Sequence, residues 1–234
     1  MPLLNQKVLA LIPARKGSKG IPNKNLKKIN GKSLVCYTIE AAKKSKYIDE
    51  IYLSSNDSKI INLAIKSGIE ILRRPEKYSS DKSLAEDVVK HFISSPKINK
   101  ILKNIDPYII YLQPTSPLRK SNHIDSALEE MTENNLVSAI SVVEMDQSPF
   151  KSFVIQNNLL KRVFNKNFTN ERRQDLPSTF YPNGAIYIFK ASSFIKSGSF
   201  PSNGSYPFLM DKDSSIDIDT KEDWKMLCNY YADK

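Results

Sequence analysis

The chain has 234 residues, and its 35 Lys and Arg against 25 Asp and Glu give a formal net charge of +10. This length is enough for one large α/β domain with a substantial core, so disulfides are not needed. Cys36 and Cys228 each lie in an apolar helical pattern, which predicts reduced, mostly buried thiols and a cytoplasmic protein. The opening apolar run of about six residues is too short for a signal peptide or a membrane-spanning helix, and no later stretch reaches membrane length.

The positive charge allows three classes of partner: nucleic acid, an anionic surface or a small acidic substrate. The lysines are scattered through the predicted helices and loops, and there is no arginine-rich helix, RNA-binding sheet motif or zinc-finger spacing. We therefore interpret most of the charge as a solvated surface and expect no nucleic acid and no membrane as partner. A nucleic-acid-binding module remains the alternative from another functional class.

Short apolar strands alternate with amphipathic helices along the first two thirds of the chain. The predicted elements are a strand at 8–12, a helix at 33–45, a strand at 49–54, a helix at 58–67, a strand at 69–72, a helix at 83–93, a strand at 108–112, a helix at 121–132 and a strand at 137–143. This order predicts an α/β fold with a doubly wound, mostly parallel sheet and helices on both faces, in a single domain spanning 1–234.

The alternation stops near Pro149. Residues 150–181 are irregular and polar but carry several aromatic side chains, which predicts an inserted excursion or hairpin lobe that contacts a second subunit. A long loop without such a contact is the alternative. The core resumes with a strand at 185–189, a strand around 215–218 and a helix from 221 to about 230.

A glycine-punctuated basic loop follows the first strand. After Pro13 it contains Arg15, Lys16, Lys19 and Lys24 together with Gly17 and Gly20. Glycines let backbone N–H groups approach a ligand closely, and the cations face the same space, so the composition is typical of a polyphosphate cradle. The spacing fits neither a Walker loop nor GxGxxG. A basic connector between strand and helix is the alternative.

A second polar segment, Gln113 to Arg119, follows the buried strand at 108–112 directly. It lies at the carboxyl end of that strand, where open α/β sheets bind ligands. Gln113 and Thr115 offer amide and hydroxyl groups that can contact a base or a sugar. A simple turn is equally compatible with the pattern.

Asp217 and Asp219 form a third candidate group. In an extended segment the two carboxylates would share one face, with Ile216 and Ile218 in the core on the other. Paired carboxylates are suited to Mg²⁺ bound together with substrate phosphates. The alternative makes them surface charges near a helix cap formed by Thr220 and Asp223.

A fourth cluster runs from Arg172 to Pro177 and leads into the segment Tyr181 to Gly184. Its basic beginning and amide-bearing end would suit an anionic sugar rich in hydroxyl groups. The spacing alone does not establish such a site.

Together these motifs, IPARKGSKGIPNKN, QPTSPLR, RRQDLP followed by PNGAIYI, and SIDIDTKEDW, resemble the acylneuraminate cytidylyltransferases over nearly the whole chain and in the same order. The resemblance implies a Rossmann-like nucleotidyltransferase that transfers CMP from CTP to the anomeric hydroxyl of a nonulosonic acid and releases pyrophosphate. It also implies Mg²⁺ as cofactor and a homodimer, with 150–181 as the dimerisation lobe.

The resemblance also implies roles for individual residues. The residues that match the CTP-binding positions of the family are Arg15, Ser18, Lys19, Lys24, Asn25 and Arg74. Gln113 and Thr115 match positions that contact the base and the sugar. The positions that bind the acidic sugar correspond to Lys151, Arg173 and Asn183, and the metal ligands correspond to Asp217 and Asp219. Arg15, Lys24, Asp217 and Asp219 are the residues expected to take part in catalysis, by holding the triphosphate and placing the metal.

One position departs from the pattern of the family. Sialic acid enzymes of this kind carry arginine just before Pro-Asn-Gly, whereas this chain has Tyr181. A less cationic pocket would suit a relative such as legionaminic acid, because losing one charge-assisted hydrogen bond costs roughly 1.5–3 kcal/mol. A synthetase for ketodeoxyoctonate is the nearest alternative among enzymes.

Overall fold

The computed structural model describes residues 6–18, 20–80, 83–164 and 168–232. The strands are β1 (Val8–Pro13), β2 (Lys28–Ile29), β3 (Lys32–Ser33), β4 (Glu50–Ser55), β5 (Glu70–Arg73), β6 (Tyr108–Tyr111), β7 (Ser138–Glu144), β8 (Phe153–Gln156), β9 (Leu159–Arg162), β10 (Phe180–Lys190) and β11 (Tyr206–Leu209). The α-helices are α1 (Leu34–Lys44), α2 (Ser58–Lys66), α3 (Ala85–Ile93), α4 (Pro96–Leu102), α5 (Ser121–Glu133), α6 (Ala191–Ser197) and α7 (Lys221–Ala232).

The central sheet has seven strands in the order β11-β7-β10-β6-β1-β4-β5. Strand β10 runs antiparallel to both of its neighbours, and the other neighbouring pairs are parallel. The prediction of a mostly parallel, doubly wound sheet is therefore confirmed. From β1 the chain moves outward to β4 and β5, then returns to place β6 on the other side of β1, so a topological switch point lies between β1 and β6.

Strand β1 is the centre of the core. Val8, Ala10 and Ile12 pack on the face covered by α1, α2 and α5, whereas Leu9 and Leu11 pack on the face covered by α3, α4 and α6. All five side chains are buried. The uninterrupted apolar run at the start of the sequence is thus explained by helices on both faces of the sheet.

The structure corrects the predicted strand around 215–218. Ser215 ends a turn and residues 216–218 are irregular, and Ile218 N donates to Thr115 O at 2.8 Å instead of joining a strand. The sheet ends with β11, which pairs with β7 in parallel and contains Pro207. Its apolar pattern is weak because it is a short, partly exposed edge strand. Helices α4 and α6 were also missed, since each has only seven residues.

The predicted excursion contains the antiparallel hairpin β8–β9, which is separate from the central sheet. Asn157 and Asn158 at its tip both have positive φ, as a tight two-residue hairpin turn requires. Its predicted end at 181 is too late, because Phe180 and Tyr181 already belong to β10. Within the described ranges, no helix combines the length and the apolar character needed to cross a membrane. Cys36 and Cys228 are free and only partly buried.

Candidate active site

A cleft of about 500 Å³, the first cleft, opens at the carboxyl ends of the strands beside the switch point. Its walls come from the loop after β1, the residue after β5, the end of β6 and the segment before α7. Most of the residues predicted for the nucleotide meet here with Asp219, which was predicted for the metal. The nucleotide residues are Arg15, Ser18, Lys24, Asn25, Arg74, Gln113 and Thr115. Residues nearly two hundred positions apart in the sequence therefore form one site. Lys19, predicted for the same role, lies outside the described residues.

The basic loop is fixed from two sides. Lys16 N donates to Asn56 Oδ1 at 2.8 Å, and Asn25 Nδ2 donates to Arg15 O at 3.1 Å. Gly20 lies so close to the segment before α7 that a Cβ at this position would be 2.1 Å from Asp219 O. The glycine is therefore required by a close backbone approach, which joins the loop to the aspartate pair.

Arg74 forms a buried cationic wall of the first cleft. Its Nε donates to Ser54 Oγ at 3.0 Å and its Nη2 to Ser54 O at 2.6 Å, so the guanidinium is oriented from β4. Burial lowers the pKa of Arg74 to about 10, and the positive charge of Arg15 acts in the same direction. Two cations that destabilise each other in a partly dry cleft would be stabilised by an anion between them.

Lys24 connects the loop to the aspartates. Its Nζ donates to Ile218 O at 2.5 Å and to Asp219 Oδ1 at 2.7 Å, and the lysine is buried although the Asp219 side chain is 70% exposed. The ammonium thus lies at the boundary between the basic loop and the carboxylates. It can compensate negative charge on either side of that boundary.

The two aspartates do not share one face as predicted. Because the segment is irregular, Asp219 lines the first cleft and Asp217 lines a second cleft of about 390 Å³ on the other side. Ile218 between them is buried, as predicted, and Ile216 packs against the same apolar cluster. The pair consequently forms the partition between two clefts.

Asp217 is the unusual member of this pair. Its side chain is partly exposed, but its Oδ1 is buried and has no hydrogen-bond partner among the described residues. Burial raises the pKa of the Asp217 carboxyl, while the hydroxyl of Thr115 acts in the opposite direction. A buried carboxylate oxygen without a partner is costly and marks a position where a cation would be stabilised.

The helix cap was proposed as an alternative role for this region, and the structure shows that the cap exists beside the aspartate pair. Asp223 Oδ2 accepts from Asp219 N at 2.9 Å and from Thr220 N at 2.7 Å, and Asp223 N donates to Thr220 Oγ1 at 3.2 Å. Since these residues satisfy the first turn of α7, the carboxylates of Asp217 and Asp219 are not needed for capping.

The second cleft contains two of the residues predicted for the acidic sugar, Tyr181 and Asn183. Tyr181 is exposed. Asn183 is buried, and its amide is fully used: Nδ2 donates to Ser215 Oγ and Met210 Sδ, and Oδ1 accepts from Ser141 Oγ and Ala185 N. In this arrangement the amide holds β7, β10 and the turn before Asp217 together, and the expected direct contact of Asn183 with a sugar stays a prediction that would require one of these hydrogen bonds to be exchanged.

The structure does not bring Lys151 and Arg173 into either cleft. Lys151 ends a short 3-10 turn before the hairpin, and Arg173 begins another before β10. Arg173 is nevertheless near the second cleft, since its charge contributes to lowering the pKa of Asp146, one of the lining residues.

Arg119 was quoted within its motif but given no role. It is fully buried: Nη1 donates to Gln113 O and Ala185 O, and Nη2 donates to Thr38 Oγ1 at 2.6 Å. Burial lowers its pKa to about 9. It joins α1, β10 and the segment after β6, and thereby holds Gln113 in place. An arginine closing a polar motif directly after a buried strand was the available signal.

The fold is shared with known structures that are distant in sequence. The structure of CMP:2-keto-3-deoxy-manno-octonic acid synthetase complexed with CTP superposes with a TM-score of 0.66 at 14% identity, covering 97% of this chain and 99% of that one. At this identity the similarity concerns the fold alone.

Sequence comparison gives the family. The profile described as Cytidylyltransferase matches residues 9–227. N-acylneuraminate cytidylyltransferase of Streptococcus agalactiae serotype V is 33% identical over 93% of this chain and 52% of its own length, so the chain spans about half of that relative. Pseudaminic acid cytidylyltransferase of Campylobacter jejuni serotype O:23/36 is 30% identical over 93% of both chains. The chain belongs to the cytidylyltransferase family.

Proposed function

We propose that the protein is a CTP-dependent cytidylyltransferase that transfers CMP to the anomeric hydroxyl of a nonulosonic acid and releases pyrophosphate. The observation that carries the proposal is the pair of adjoining clefts separated by Asp217 and Asp219. The first cleft is lined by cations suited to a triphosphate, and the second contains residues expected to contact a sugar acid. The activities for which the two relatives are named support the same substrate class.

In the proposed mechanism the chain positions its substrates and offsets charge, without a covalent intermediate. Arg15, Lys24 and Arg74 bind the triphosphate, and the backbone of the loop after β1 supplies further donors. Gln113 and Thr115 lie where the first cleft meets the partition, so they are placed to contact both substrates. The anomeric hydroxyl approaches the α-phosphorus from the second cleft, in line with the departing pyrophosphate.

The aspartate pair fits Mg²⁺. The buried, unpartnered Oδ1 of Asp217 and the exposed carboxylate of Asp219 are hard oxygen ligands on one short segment. No group of three or more His, Cys, Asp or Glu side chains able to hold a metal occurs within the described residues, so phosphates and waters would complete the coordination. When bound, magnesium would offset phosphate charge and lower the pKa of the acceptor hydroxyl.

The test incubates the protein with CTP, Mg²⁺ and a panel of sugar acids and measures pyrophosphate. The panel contains N-acetylneuraminic, legionaminic and pseudaminic acids, with ketodeoxyoctonate as the eight-carbon alternative. We expect release with at least one nonulosonic acid. If folded protein releases no pyrophosphate with any acid of the panel, the proposal is refuted. Release of pyrophosphate with ketodeoxyoctonate alone would favour the activity of the structurally similar synthetase.

The homodimer is a separate proposal, supported by the β8–β9 hairpin. Its large apolar residues Val154, Ile155, Leu159 and Leu160 are all exposed, and the hairpin forms a two-stranded sheet of its own. Ile155 and Leu160 lie opposite each other and form an exposed apolar patch on one face of the hairpin, whereas Val154 and Leu159 lie on the other face. An exposed apolar patch is typical of an interaction site. A second copy of the chain is the occupant we propose, and its hairpin would cover the patch.

A cytoplasmic location is also proposed. It is supported by the two free thiols, Cys36 and Cys228, and by the need for CTP as substrate.

The competing nucleic-acid-binding function predicts tight affinity for duplex DNA or RNA that falls steeply with salt. Titration at two salt concentrations distinguishes the two functions.

A further inference from the structure

The second cleft is unusually acidic for a site that takes an acid. Glu144, Asp146, Asp217 and Asp223 all line it, and Lys212 is the one ammonium group among its described lining residues. Asp223 is used by the helix cap. An acidic acceptor would be repelled unless a cation binds its carboxylate.

Lys212 is already paired in the structure. Its Nζ contacts Asp146 Oδ1, and the two side chains are 64% and 74% exposed. Ion pairs with this exposure are weak and exchange readily with other anions. Arg173 also acts on Asp146, since its charge helps to lower the pKa of that carboxyl. Asp146, a carboxylate of the chain itself, therefore attracts two cations at the edge of the second cleft.

The backbone that carries Lys212 is rigid although its side chain is free to move. Asp211 Oδ1 accepts from Ser214 N at 2.7 Å, Ser215 N donates to Lys212 O at 3.2 Å, and Ser215 Oγ donates to Asp211 O at 2.7 Å. The same turn leads into Asp217. The backbone of Lys212 is thus held close to the partition between the clefts, and its side chain can turn from Asp146 to a bound anion.

From this arrangement we propose that Lys212 binds the carboxylate of the acceptor sugar, and that Asp146 occupies the position of that carboxylate until the acceptor displaces it. Binding is an exchange of one carboxylate for another, so Lys212 does not leave an unpaired charge behind when the site is empty. Because Asp146 competes for the ammonium of Lys212, anions that bind weakly do not displace it. Lys212 is thus a specificity-determining residue. The inference rests on the proposed function.

The test compares Lys212→Met and Asp146→Asn with wild type, using N-acetylneuraminic acid or whichever sugar acid of the panel is turned over. Lys196→Met is the matched control, because Lys196 is an exposed lysine of α6 that lines neither cleft. We expect Lys212→Met to raise the KM for the acceptor about tenfold, through loss of a charge-assisted hydrogen bond, with the KM for CTP unchanged. Asp146→Asn should lower the acceptor KM about two- to fivefold, since a weak competing ion pair is removed.

The methyl ester of the same sugar acid separates carboxylate binding from a general effect on folding. It is measured as a competitive inhibitor against the acid, so its own turnover is not required. Its inhibition constant should be the same for wild type and Lys212→Met. An acceptor KM in Lys212→Met equal to that of Lys196→Met, or an equal loss of affinity for acid and ester, would overturn the assignment while leaving the proposed function intact. Absence of turnover by wild type with every acid would overturn both.

Discussion

The two clefts on either side of the aspartate partition are built differently. The first is formed at the ends of buried strands, and its charged groups are oriented by the fold: Arg74 by Ser54, and Lys24 by Asp219 and Ile218 O. The second is formed by the segments that flank β7, β10 and β11, and it contains an exposed ion pair and an exposed tyrosine. In the proposed function, nucleotide recognition would therefore be fixed by the architecture, whereas acceptor recognition would depend on side chains that can change without disturbing the core.

The largest expected effect on activity comes from substituting the aspartate pair that separates the two clefts. Asp219→Asn removes a charge that faces the first cleft, and we expect kcat to fall by at least about 10²-fold because transition-state charge is no longer offset. CTP affinity should change little, since the triphosphate contacts come from cations. Steady-state kinetics and calorimetry measure the two quantities. Asp213→Asn, an exposed aspartate of the preceding turn, is the control. Near-normal turnover with Mg²⁺ would exclude Asp219 as a metal ligand.

The dependence of the first cleft on its buried cation is tested by Arg74→Met. Loss of charge-assisted contacts to phosphate costs about 1.5–3 kcal/mol, so CTP should bind about 10- to 100-fold more weakly. Calorimetric titration measures the dissociation constant. The neighbouring Arg73 is exposed, and Arg73→Met should bind CTP as wild type does. If both substitutions have the same effect, the nucleotide does not lie in the first cleft.

The hairpin allows a third test, because it is the part of the molecule least integrated into the sheet. Ile155→Asp introduces a charge into its apolar patch and should convert a dimer into a monomer, as measured by light scattering after size exclusion. Ile65→Asp on α2 alters another exposed isoleucine and should leave the mass unchanged. A monomeric wild-type protein would contradict the proposed dimer.

The smallest expected effect is at Tyr181, in the variable second cleft. Tyr181→Arg restores the cation found at this position in sialic acid enzymes, and it should shift the ratio of kcat/KM between N-acetylneuraminic and legionaminic acids about tenfold toward the former. Competition between the two acids in one reaction measures this ratio directly. An unchanged ratio would show that Tyr181 does not select the sugar.

The same contrast explains how far sequence alone could reach. The strands and helices around β1 were predicted because their apolar residues are buried on one or both faces, and the cleft at the switch point follows from that topology. The edge strand β11 was missed because partial exposure and Pro207 weaken its pattern. The partition was misplaced because the 215–218 segment bonds to Thr115 instead of a strand, a tertiary contact that local spacing does not encode.

Side-chain roles were the least predictable part of the site. Asn183 was assigned to the sugar, yet its amide is used entirely by Ser141, Ser215, Met210 and Ala185 N. Gly20 was expected to permit a phosphate to approach, and the structure adds the close backbone approach to Asp219. Such roles depend on which distant segments meet, so they become visible only in three dimensions.

The most direct test of the account follows the phosphorus atoms of CTP. The protein is incubated with CTP, Mg²⁺ and N-acetylneuraminic or legionaminic acid, and the mixture is observed by phosphorus NMR. We predict the appearance of pyrophosphate together with an equal amount of a new phosphodiester that retains the cytidine. If CTP stays intact, or if it is hydrolysed without forming a phosphodiester, then the two clefts do not carry out cytidylyl transfer.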